Sequence, residues 1–98
     1  MSVPRKLLDL IRDKVPRGIT HDGKTAIWIE FVDSWRLRID TDGKSQDHPA
    51  GSKITHIDQS GTAFSITYDD GQVDAMTLAD PASSIMLRDA TCAIKYTD

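Results

Sequence analysis

From Lys24 onward the chain alternates apolar and polar residues with a period of two, the mark of strands with one face buried. In "KTAIWIEFV" (24–32) Ile27, Ile29 and Phe31 lie on one side and Trp28 and Glu30 on the other. In "SWRLRID" (34–40) Trp35, Leu37 and Ile39 alternate with Arg36 and Arg38. A hairpin through 32–34 sets Phe31 opposite Trp35, Ile29 opposite Leu37 and Ile27 opposite Ile39. The same register places Glu30 across from Arg36 as an ion pair and Trp28 across from Arg38 as a cation–π pair, so one pairing satisfies both faces.

The alternation continues over 53–59, 62–69 and 72–78, and again over 84–89 and 92–96. Turns of the Asp-Gly kind punctuate it at Asp22-Gly23, Asp42-Gly43 and Asp70-Gly71, with Ser60-Gly61 in the same role. With Ser60-Gly61 and Asp70-Gly71 as two-residue loops, Ile57 is expected opposite Phe64, Tyr68 opposite Val73, and Ile66 opposite Ala75. In the last hairpin, Ile85 should meet Tyr96 and Leu87 should meet Ile94 across Ala90-Thr91.

Only the amino-terminal segment has helical periodicity. Leu7, Leu8, Leu10, Ile11 and Val15 share one face over 4–15, Ser2 and Pro4 suit a helix start, and Pro16 ends it. The pattern predicts an α+β domain spanning 1–98: an N-terminal amphipathic helix, then an antiparallel β-meander of about six to seven strands, bent into a strongly curved sheet or small barrel.

Composition limits function more than it defines it. The 98 residues are 39% hydrophobic and 28% charged, enough for one core and one globular domain. All but Glu30 of the 15 acidic residues are Asp, a residue of turns rather than helix interiors. No apolar run is long enough to span a bilayer, and charges interrupt the first apolar stretch, so a cytoplasmic protein without a membrane role is expected. The single cysteine, Cys92, excludes an internal disulfide and a cysteine-based zinc site. The net charge of −3 is uneven: six basic against three acidic residues in 1–24 give +3, and six against twelve in 25–98 give −6. That balance disfavours nucleic acid as a partner.

No chemical constellation stands out. Aligning Gly43 with the glycine of a calcium loop leaves Arg38 and Pro49 where oxygen ligands are needed, so "TDGKSQDH" reads as a turn followed by a surface loop. His21, His48 and His56 have no metal-ligand spacing, Asp47 and His48 have no companion ligand, and the serines lie outside any nucleophile motif. No catalytic, cofactor-binding or metal-ligating residue is assigned, and no cofactor is expected. The feature singled out is the polar side of the first hairpin, Trp28, Glu30, Arg36 and Arg38, residue types favoured in protein contacts. The resulting expectation is a non-catalytic interaction or regulatory module that binds a protein partner or a second copy of itself. The alternative is a small-molecule binder or small enzyme with a cleft between helix and sheet, lined by Trp28, Trp35 and a histidine.

Overall fold

Among the described residues, the chain forms one short helix and eight strands: α1 (Arg5–Ile11), β1 (Pro16–Asp22), β2 (Ala26–Phe31), β3 (Arg36–Asp40), β4 (Ile54–Ser60), β5 (Ala63–Tyr68), β6 (Val73–Thr77), β7 (Ile85–Arg88) and β8 (Ile94–Thr97). These are the elements of a computed structural model that describes residues 4–23, 25–42 and 51–98. The turn at Asp42-Gly43, the loop after it with Asp47 and His48, and the strand start at Lys24 fall wholly or partly outside the described residues.

The strands make two antiparallel sheets, one of five in the order β1-β2-β3-β7-β8 and one of three in the order β4-β5-β6. The expected α+β layout is therefore corrected. The fold is mostly β, with 53% of the described residues in strand against 8% in helix, and two separate sheets replace the single curved meander or small barrel. Alternation explains why either layout is open to the sequence: each ribbon has one apolar face, and packing two such faces together hides them as well as curling one sheet does. The inner faces meet in one cluster, with Ile29, Phe31, Leu37, Ile39 and Leu87 from the larger sheet against Ile54, Ile57, Phe64, Ile66 and Tyr68 from the smaller. Burial of each such side chain contributes about 1.5–3 kcal/mol. The result is a small compact domain with a Cα radius of gyration of 12.1 Å.

The amphipathic helix expected over 4–15 is also corrected, because α1 has only seven residues. Arg12 is extended (ψ 137°) and Asp13 is left-handed (φ 68°). The chain leaves the helix there to pair with β4: the Asp13 N–H donates to the Ile54 carbonyl at 2.8 Å, and the Ile54 N–H donates to the Lys14 carbonyl at 3.0 Å. Tertiary pairing thus overrides a local helical pattern. Leu7, Leu8 and Ile11 still enter the core, and α1 packs on β4.

Hairpin geometry accounts for the registers. Residues 31–35, 68–72 and 89–93 share one loop form. In each, the first N–H donates to the fifth carbonyl (2.9, 3.0 and 2.9 Å) and the fourth N–H to the first carbonyl (2.9, 3.0 and 3.0 Å). The fourth residue is left-handed in all three: Ser34 (φ 72°), Gly71 (φ 87°) and Cys92 (φ 68°). This is a type I turn closed by a left-handed residue, a three-residue connection. It yields the expected register for β2 and β3, with Ile29 opposite Leu37, Ile27 opposite Ile39 and Trp28 opposite Arg38.

At β5–β6 the loop is 69–71 rather than the expected Asp70-Gly71. That one added residue turns β6 over. Met76 now faces Phe64 and Asp74 faces Ile66 on the inner side, while Val73 points outward with 59% exposure. Gly61-Thr62, not Ser60-Gly61, joins β4 to β5, so Ile57 pairs with Ile66 and both stay buried. In the last hairpin Leu87 pairs with Tyr96 and Arg88 with Ile94, because a bulge follows the three-residue loop.

β1 has no counterpart among the expected strands. Only Pro16 of its seven residues is buried, so it shows little alternation, and its opening proline suits the free edge it forms. The pairing of β3 with β7 was equally hidden: Ile39 meets Ile85 and Leu37 meets Leu87 after the whole of the second sheet has intervened.

Candidate functional site: the outer face of the five-stranded sheet

Because Ile27, Ile29, Leu37, Ile39, Ile85 and Leu87 point inward, their neighbours in sequence must point outward. Two adjacent rows across the sheet result. One runs Thr20, Trp28, Arg38, Met86, Thr97; the other runs Gly18, Glu30, Arg36, Arg88, Ile94. The four residues singled out in the sequence, Trp28, Glu30, Arg36 and Arg38, therefore sit together at the centre of one face.

Trp28 is half-buried among polar groups. The Arg38 guanidinium lies 5.7 Å from its ring centroid, and its Nε1–H points at Asp22 Oδ2 at 3.5 Å. Arg38 Nε also donates to Asp40 Oδ1 at 3.2 Å. Glu30 does not pair with Arg36 as its cross-strand position suggested; it pairs with Arg17 of β1. Arg36 is left exposed directly opposite Arg88, whose Nη1 donates to the Cys92 carbonyl at 2.8 Å. Among the described residues neither guanidinium has a carboxylate within ion-pair distance.

A hollow of about 250 Å³ opens beside these groups, lined by Thr20, Trp28, Glu30 and Arg36. Gly18 occupies the next place in the Glu30 row, and a β-carbon there would meet nothing within 4 Å. The sequence reading missed β1 and β7 as neighbours, and with them Thr20, Gly18, Arg17 and Arg88. The alternation of "SIMLRD" does place Met86 and Arg88 opposite to Ile85 and Leu87, but it does not reveal which strand lies beside them.

Among the described residues, those named for a helix–sheet cleft are not brought together. Trp35 borders the core with the Lys14 ammonium 4.0 Å from its ring centroid, on a different part of the molecule from Trp28. His21 is exposed on the edge strand, and His56 lies in the smaller sheet with Nε2 3.2 Å from Asp58 Oδ1. Among the described residues no three of His, Cys, Asp and Glu are grouped to hold a metal ion, and no helix is long and apolar enough to cross a membrane.

Comparison with known proteins gives no match: no family model fits the sequence, and neither curated proteins nor solved structures show significant similarity.

Proposed function

We propose that this chain is a non-catalytic protein-interaction module of the cytoplasm and that the outer face of the five-stranded sheet is its contact surface. The observation that carries the reading is the central strip of that face. It joins a half-buried tryptophan, a stacked arginine and a further arginine that no carboxylate answers among the described residues, beside a hollow lined by Thr20, Trp28, Glu30 and Arg36. Tryptophan buries a large area with only two side-chain torsions to freeze, and arginine presents a planar, pre-organised fork of directional donors. The single cysteine agrees with a reducing compartment.

Trp28→Ala tests it. A half-buried tryptophan on an outer sheet face should cost about 1–2 kcal/mol of folding stability, against about 3–5 kcal/mol for one in a core. The expected result is a modest fall in unfolding midpoint with loss of partner retention. A large fall in midpoint would make Trp28 a packing residue and remove the proposal. Sedimentation at two concentrations separates a second copy of the chain from a foreign partner.

A further inference from the structure

On a β-sheet, like charges placed directly across from one another repel, and a carboxylate held between them relieves the cost. The outer face contains one such uncompensated pair. Arg17 and Arg38 are answered by Glu30 and Asp40, whereas Arg36 faces Arg88 with no carboxylate between them among the described residues. Planar guanidinium forks fit a carboxylate two-pronged and hold it more firmly than a point charge would.

We infer that the Arg36–Arg88 pair seats a carboxylate carried in the middle of an extended, otherwise apolar segment of a protein partner. The inference rests on the contact-surface reading of this face. Its geometry comes from the row Gly18, Glu30, Arg36, Arg88, Ile94. Five strands spaced by about 4.8 Å make that row about 19 Å long, the reach of about six extended residues. The arginines stand near its middle. Beyond Arg88 lies Ile94, 53% exposed, and on the other side lie the hollow lined by Thr20, Trp28, Glu30 and Arg36 and, at the end of the row, Gly18 with open space over it. An apolar side chain is thus accommodated at each end and an acidic one in the centre.

The same face argues against a polyanion. Asp22, Glu30 and Asp40 flank the arginines, and the whole chain carries −3, so a second and third phosphate would meet carboxylates rather than cations. One negative charge fits where a row of them does not.

The test is an amide-resolved NMR titration of the full chain with a blocked pentapeptide bearing a central glutamate between leucines and threonines. Its glutamine counterpart and a short single-stranded DNA serve as comparisons. The expected result is saturable shifts at Arg36, Arg88, Ile94 and the Trp28 indole in the millimolar range, weakened by salt. Affinity for the glutamine peptide and that of Arg36→Gln/Arg88→Gln for the glutamate peptide should both fall about tenfold. Gly18→Val, which adds a β-branched residue without a clash, should weaken binding without lowering the midpoint. Equal shifts by both peptides at this face would overturn the carboxylate assignment and leave the contact surface standing. Tighter binding of DNA here would overturn it in favour of a nucleic-acid partner, and no shift at this face would remove both readings. If the double arginine variant does not fold, the glutamate–glutamine comparison on the unaltered chain still decides.

Discussion

Ser34 and Cys92 occupy left-handed positions that Gly71 fills in the third loop of the same form. A side chain in that conformation costs about 1–2 kcal/mol, partly offset by the stiffer unfolded chain it confers, whereas glycine adopts it freely. Ser34→Gly and Cys92→Gly should each stabilise the fold by about 0.5–1 kcal/mol, visible as a rise in thermal midpoint of several degrees. An unchanged or lower midpoint would mean that the loops take another form. The same comparison shows what single residues reveal. Asp70-Gly71 marks a turn in the sequence, but whether it closes over two residues or three is not written in the dipeptide. That one residue decides whether Val73 or Asp74 is buried.

The connection before β1 is held by another local device. Lys14 pairs with Asp33 in the β2–β3 loop. Burial pushes the Asp33 carboxyl up, but the Lys14 ammonium and the Trp35 N–H outweigh it and hold the group below its ordinary value. A carboxyl whose folded pKa is depressed stabilises the fold above its unfolded pKa of about 3.9, and that contribution disappears as pH falls through the folded value. Asp33 is 43% exposed, so the pair is worth less than about 1 kcal/mol. Lys14→Met should therefore lower stability slightly at neutral pH and reduce its loss on acidification. Parallel urea curves at pH 7 and in strong acid measure both.

At the scale of elements, edges distinguish the strands. β6 borders the three-stranded sheet, and its second residue Asp74 points inward, only 2% exposed. An inward charge on an edge strand discourages pairing with another chain, because the added strand would seal the carboxylate further from water. Asp74→Val should make the protein self-associate with rising concentration, as light scattering would show. A variant that stays monomeric would contradict that role. Strands buried on one face were legible because period two is a property of sequence. β1 was not, since an edge strand with one buried residue has nearly no period to read. The helix was overextended for the opposite reason: Val15 completes a helical face, yet the hydrogen bonds from the Asp13 N–H to the Ile54 carbonyl and from the Ile54 N–H to the Lys14 carbonyl are contacts that no local window contains.

For the molecule as a whole, the strip Trp28, Glu30, Arg36 and Arg38 was visible in the sequence because two neighbouring strands supply all of it. Its flanks were not, because they come from β1 and from β7. The chain completes β3, builds the entire second sheet, and returns to lie beside β3, a step that alternation alone does not encode. Both the two-sheet fold and the arginine pair depend on this return. It is tested most directly by cross-strand backbone NOEs in the labelled chain. The account requires contacts linking Arg36 with Arg88 and Ile39 with Ile85. Contacts joining β6 to β7 instead, as a continuous meander would have, would contradict the two-sheet arrangement and dissolve the proposed contact surface.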